Sequence, residues 1–138
     1  MRIALLIALV LALVGCGAGS TAVSATGTAT TDLKITYWPQ GAGVGTATRW
    51  TLRCAPAGGT LPGAGAACRK LGEMQRPFAT MPGGTMCTQE YGGPQVAVIA
   101  GTFRGGKLWA RLSATNGCEI SRAKRLAFLV PGFASTSA

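Results

Sequence analysis

The sequence predicts an α+β domain, an antiparallel sheet covered by a helix, and three observations carry that reading. Leu33, Ile35 and Tyr37 alternate with Lys34 and Thr36, and Trp50, Leu52 and Cys54 alternate with Thr51 and Arg53, the period-2 pattern of half-buried strands. Ala64, Ala67, Cys68, Leu71 and Met74 recur at helical spacing between Pro62 and Pro77. Two further strand-like runs, Gln95 to Phe103 and Lys107 to Thr115, meet across Arg104-Gly105-Gly106. Strands and a helix in this order favour an α+β sandwich with antiparallel pairing.

Taken in order, the chain opens with Met1-Arg2 and an aliphatic run from Ile3 to Leu13, the layout of an export signal over residues 1–15. A dozen apolar residues rise about 18 Å as a helix, short of the roughly 30 Å hydrocarbon core, so a permanent span is not expected. Leu13-Val14-Gly15-Cys16 resembles the bacterial lipobox, and an acylated Cys16 would hold the protein at a membrane, because two or more acyl chains anchor firmly. Gly17 to Thr31 contains only Gly, Ala, Ser, Thr and one Val, with nothing to bury. Residues 16–31 therefore read as a lipidated cysteine and flexible tether, about 20 Å in average span. The expected location is the outer face of a bacterial cytoplasmic membrane, with the domain extracellular.

A single domain follows over residues 32–130, small enough for cross-links to matter. After the first two strands comes a Pro/Gly-rich stretch, Ala55 to Gly63, then the amphipathic helix with Arg69, Lys70, Glu73 and Arg76 on its other faces. A Pro/Gly/Thr-rich loop runs from Pro77 through Cys87 to Pro94 and leads into the hairpin, whose glycine pair supplies the positive φ such a turn needs. The apolar run Leu126 to Val130 reads as a closing strand, and 131–138 as a frayed tail.

Residue types narrow the chemistry. The chain has no histidine, which removes Cys/His zinc sites, Ser-His and Cys-His nucleophile pairs and imidazole acid–base catalysis. Its four carboxylates, Asp32, Glu73, Glu90 and Glu119, are scattered without paired spacing, so neither enzyme activity, nor a metal, nor any other cofactor is expected. Outside the cytoplasm, Cys54, Cys68, Cys87 and Cys118 read as two disulfides, for which spacing alone leaves three pairings open.

At this point the residues carry a resemblance. Cys54-Ala55-Pro56, Gly59-Thr60-Leu61-Pro62 and Ala67-Cys68 with Leu71 resemble the signature of the Streptomyces subtilisin inhibitor family. Met86-Cys87-Thr88-Gln89-Glu90-Tyr91 resembles that family's reactive loop, and Asn116-Gly117-Cys118 the Asn-x-Cys that supports it. The resemblance covers about Leu33 to Phe128. It implies a sheet of about five antiparallel strands covered by one main helix and a short second one, disulfides Cys54 to Cys68 and Cys87 to Cys118, and a tendency to form homodimers. Three departures stand out: Leu61 where the family usually has His, Arg69 after the helix cysteine, and Gly92-Gly93-Pro94, one residue longer than the usual segment after the loop.

The function so implied is inhibition of an extracellular serine protease by a substrate-like loop. Gln89-Glu90 would be the scissile bond, with Gln89 as P1, Thr88 as P2, Cys87 as P3 and Met86 as P4, and Asn116 would brace the loop by hydrogen bonding. A preformed loop loses little entropy on docking, and a disulfide at P3 keeps the halves together after a cut. Gln89 carries no positive charge for a trypsin-type pocket, whereas apolar Met86 suits the S4 site of subtilisin-like enzymes. Glu90 is an unusual charge at P1′, and the atypical loop residues Gln89, Glu90, Gly92 and Gly93 keep open a second class of function: a surface lipoprotein using the fold as a non-inhibitory binding or structural module.

Thirteen Lys and Arg against four Asp and Glu give a formal charge of +9. The cations are scattered apart from Arg122-Ala123-Lys124-Arg125, and no stacking aromatics interleave them, so nucleic acid is not an expected partner and anionic lipids or envelope polymers are. Trp38, Trp50 and Trp109 read as packing residues of the core or a dimer face, with Trp109 out of phase with Leu108, Ala110 and Leu112.

Overall fold

The computed structural model describes residues 30–134, so the segment read as an export signal, Cys16 and nearly all of the segment read as a tether lie outside the described residues. The element order is β1 (Thr31–Trp38), β2 (Thr48–Cys54), α1 (Ala64–Glu73), β3 (Gly93–Phe103), β4 (Gly106–Ala114), α2 (Gly117–Arg125) and α3 (Pro131–Ala134). The four strands form one antiparallel sheet in the order β2-β1-β3-β4.

Strand period divides the sheet into two faces. Leu33 and Ile35 of β1 stand beside Leu52 and Trp50 of β2 and beside Gly101 and Ile99 of β3, and Ile99 and Ala97 stand beside Ala110 and Leu112 of β4. Leu33, Ile35, Leu52, Ala97, Ile99 and Leu112, together with Ala67 and Leu71 of α1 and Ala123 of α2, belong to the core, and Trp50 packs half-buried against it. Leu33, Ile35, Leu52, Ile99 and Leu112 are wholly buried, each worth about 1.5–3 kcal/mol relative to exposure. Leu61, where the resembled pattern has a histidine, is also in this cluster, so the position serves packing here.

The hairpin between β3 and β4 turns on Arg104 and Gly105, both at positive φ (50° and 79°), and Gly106 already pairs with Phe103. The positive-φ pair is thus one residue earlier than the Gly-Gly dipeptide suggests. Held in this conformation, the Arg104 guanidinium reaches the C-terminal end of α1 and donates to the carbonyls of Leu71 (2.9 Å), Gly72 (3.3 Å), Met74 (2.8 Å) and Gln75 (3.0 Å). A cation there satisfies the orphan carbonyls and complements the helix dipole. The middle of α1 is tied to the end of β2 by the Cys54–Cys68 disulfide.

Two expectations are corrected. The sheet has four strands, not about five: Leu126 to Val130 forms consecutive turns, with Leu129 N–H donating to the Leu126 carbonyl (2.9 Å) and Val130 N–H to that of Ala127 (3.1 Å). The reason lies in the spacing, since the buried residues Leu126, Leu129, Val130 and Phe133 recur at i, i+3, i+4 and i+7, a helical and not a strand period. The segment expected to fray from Pro131 begins instead with α3, whose Phe133 is buried against the Tyr37 ring (5.6 Å between centroids). The Tyr37 hydroxyl donates to the Gly132 carbonyl (3.3 Å). At nine residues, α2 is nearly as long as the ten-residue α1.

Candidate functional site

The residues from Met86 to Tyr91 form a loop without regular secondary structure between α1 and β3. Each end is attached to the body by a different device. On the N-terminal side, the Cys87–Cys118 disulfide ties the loop to the first turn of α2. One residue on, the Thr88 carbonyl accepts from the Gly117 N–H (3.1 Å). A Cβ at Gly117 would strike Thr88 Oγ1, so a larger residue there would force the Thr88 side chain to turn or the loop to shift.

The C-terminal side is built from the junction with the sheet. Gly92 N–H donates to the carbonyl of Ala114, the last residue of β4 (2.7 Å). Gly93 pairs with Ala114 but Val96 pairs with the next residue back, Ser113, so Pro94 and Gln95 form a bulge in β3. The longer Gly-Gly-Pro segment is absorbed there, since a bulge takes up extra residues while pairing resumes on either side. Gly93 sits at φ +122°, where a side chain would be strained and would also strike the Gln95 amide. The Gln95 side chain, only 5% exposed, folds back and donates from Nε2 to the Gly92 carbonyl (2.9 Å). Beneath this flank lies a cavity of about 80 Å³, bounded on the loop side by Glu90 and Gly92 and on the body side by Ile120 and Phe133.

Between the Thr88 and Gly92 attachments, Gln89, Glu90 and Tyr91 are exposed, and Met86 just before them is 96% exposed. Met86 and Tyr91 are two of the four large hydrophobic side chains exposed among the described residues. The side chains of Gln89 and Glu90 make no hydrogen bond or ion pair among the described residues, where the ion pair present joins Arg122 to Glu119.

Asn116 lies next to the loop but its side chain turns elsewhere. Its Oδ1 accepts from the Glu119 N–H (3.0 Å), capping the N-terminus of α2, and no hydrogen bond joins it to the loop. The direct brace expected of Asn116 is supplied by the backbone of its neighbour Gly117, and Asn116 acts by fixing the helix end that carries Gly117 and Cys118. Gln95 and Gly117 are the supports that sequence reasoning missed. The Asn-x-x-Glu spacing of a helix start was visible around Gly117, whereas Gln95 carried no signal, because only the bulge turns it back.

Of the basic run Arg122–Arg125, Arg122 is buried and donates to the Arg111 carbonyl (2.8 Å) and to Glu119 (3.3 Å), so it is a joint between α2 and β4, not part of a surface patch. Among the described residues no group of three or more His, Cys, Asp or Glu side chains is placed to hold a metal ion.

These features define a disulfide-framed α+β protein that presents one exposed segment clamped from both ends. A family model described as subtilisin inhibitor-like matches residues 28–116, and the chain belongs to that family, one of protease inhibitors and not of enzymes. Among solved structures, that of Streptomyces caespitosus sermetstatin in complex with Bacillus licheniformis subtilisin is similar at 27% identity, covering 70% of this chain and 96% of that chain, with a TM-score of 0.44. No curated protein matches the chain.

Proposed function

We propose that the protein inhibits a subtilisin-type serine protease by offering Gln89-Glu90 as a scissile bond, with Gln89 as P1 and Met86 as P4. The observation that carries this reading is the exposed run from Gln89 to Tyr91, held between the Thr88–Gly117 and Gly92–Ala114 backbone hydrogen bonds. A loop already held at both ends loses little entropy on entering a cleft. The Cys87–Cys118 bond and the Gly92 attachment lie on opposite sides of the scissile bond, so both new ends stay near each other after a cut and religation competes with release. Membership of the subtilisin inhibitor-like family supports the same target class.

The reading extends to a lipid anchor at Cys16 that holds the domain outside the cell membrane. Its support in the fold is the placement of the chain's entry point. Thr31 starts β1 beside Cys54 and near the β3–β4 turn, whereas the loop leaves at Gly93, the far end of β3. Eleven residues of strand separate the two ends, about 33 Å at 3.3 Å per residue. A tether entering at one end leaves the loop directed away from it.

Titration of subtilisin with the full chain carrying Cys16→Ser, followed as residual activity at nanomolar enzyme, tests the inhibitory reading. Stoichiometric loss of activity with only slow cutting at Gln89-Glu90 is expected, and rapid digestion or absence of binding rejects it. Gln89→Arg is expected to add affinity for trypsin-type enzymes, whose P1 pocket holds a carboxylate. Indifference of trypsin to that variant would show that Gln89 is not P1.

A further inference from the structure

The register that buries one face of the sheet also defines the other, and its composition is unlike the rest of the surface. Arg53, Asp32, Thr102 and Lys107 form one row across the strands. Thr51, Lys34, Ala100 and Trp109 form the next, and Arg49, Thr36, Val98 and Arg111 a third. Arg49, Lys34, Arg53, Lys107 and Arg111 are all exposed, and Asp32 is the one acidic residue among the twelve positions. None of these five cations takes part in an ion pair or side-chain hydrogen bond among the described residues. With strands about 4.8 Å apart and rows about 6.6 Å apart, the patch measures roughly 15 Å by 13 Å. Neighbouring cations therefore lie within one or two screening lengths of about 8 Å of each other at physiological salt.

We infer that this face is a docking surface for an anionic lipid bilayer. Charge complementarity is the first argument: a dense array of basic residues gains on the order of a fivefold affinity for an anionic membrane per residue brought to its surface. Shape is the second. Thr36, Val98, Ala100 and Thr102 at the centre are small and half-buried, so the centre of the face offers no groove. At its β4 edge, where Trp109 and Arg111 border an open pocket with Phe78 and Glu119, the 67% exposed Trp109 is the residue type that settles at the headgroup level. A nucleic acid would call for a row of stacking aromatics, and Trp109 is alone here. A second copy stacked face to face would oppose cations to cations. The tether read over residues 16–31 enters β1 at Thr31, one residue before Asp32 of the first row. Chain that reaches a lipid surface thus brings this face near it. Docking by the face does not depend on the inhibitory reading of the loop, which lies at the end of the sheet and stays free.

The test is co-sedimentation of the full chain carrying Cys16→Ser with vesicles of phosphatidylcholine alone and of phosphatidylcholine with one third phosphatidylglycerol. Binding that needs phosphatidylglycerol and falls with added salt is expected. Lys34→Gln with Arg111→Gln should weaken it about 25-fold, while Lys70→Gln with Lys124→Gln, an equal loss of charge on the helices, should leave it within about twofold. All four side chains are exposed, and unchanged circular dichroism shows that both double variants fold. Equal weakening by the two pairs, binding insensitive to phosphatidylglycerol, tighter binding to a single-stranded oligonucleotide than to the vesicles, or a dimer in sedimentation equilibrium that the first pair dissociates would each overturn the proposal.

Discussion

The two flanks of the Gln89-Glu90 bond are held by different physics. Before the bond, a covalent link at Cys87 and the Thr88–Gly117 hydrogen bond seat the loop on the end of α2, with Gly117 packed against the Thr88 side chain. After it, Gly92 depends on two hydrogen bonds, one from its N–H to Ala114 and one to its carbonyl from Gln95, above a cavity of about 80 Å³. One flank resists displacement by bond strength and close packing. The other resists it by a bulge and a buried amide, and has space behind it. A protease that cuts the loop therefore meets a fixed acyl side and a yielding amine side, and the yielding side governs how long the cut ends stay aligned.

The largest effect should come from removing the covalent difference. Cys87→Ser with Cys118→Ser opens a link between residues 31 apart, worth about 4 kcal/mol in the loop-entropy account. The domain should still fold through its other disulfide but be digested at Gln89-Glu90 as a substrate, as mass spectrometry of the fragments would show. Persistent tight inhibition by this variant would mean that hydrogen bonds alone suffice.

Next in size is Gly117→Ala, which forces the new methyl against Thr88 Oγ1. Overpacking of this kind costs about 1–3 kcal/mol, so the inhibition constant for subtilisin should rise by about one to two orders of magnitude. Adding Thr88→Ala removes the collision and should recover most of the loss, a rescue that would not occur if Gly117 mattered only to helix α2.

Gln95→Met keeps the volume but withdraws the donor from the Gly92 carbonyl, a loss of about 1 kcal/mol. Hydrolysis within the protease complex should accelerate about fivefold with little change in initial binding. A larger effect on binding than on hydrolysis would reverse the assignment of the two flanks.

The smallest effect is remote from the loop. Burial raises the Tyr37 pKa above the ordinary phenol value, and the protonated hydroxyl donates to Gly132. A raised native pKa means that this contribution is complete below the unfolded pKa, about 10, and is lost as pH climbs through the native one. Stability should fall at strongly alkaline pH, with a change in the fluorescence of Trp50, whose ring lies 6.4 Å from that of Tyr37. Tyr37→Phe should flatten that part of the pH profile.

Much of the architecture was legible because it rests on local periodicity. Alternation in Leu33–Tyr37 and Trp50–Cys54 identified the first two strands, and the 3.6-residue recurrence from Ala64 to Leu71 identified α1. Leu126 to Val130 misled because a short apolar run satisfies either period; the decisive residue, Phe133, lay in a segment read as tail. Within the site, Met86 to Tyr91 was visible as a motif, but its supports were not. Asn116 offered one amide to two uses, and the helix end took it.

The sequence by itself determined the compositional limits of this protein: no imidazole chemistry, cysteines enough for two cross-links, a strong positive charge, and strand and helix periods sufficient for an α+β fold. These are properties of residue type and spacing, which are written along the chain. Only the tertiary structure decided which groups hold the loop and which face gathers the cations. Gln95 reaches Gly92 because a bulge reverses its direction, Gly117 reaches Thr88 because a disulfide brings α2 to the loop, and Arg49, Lys34 and Arg111 share a face because three strands are paired in one register. Each depends on residues distant in sequence being fixed in space at once, which local pattern does not encode.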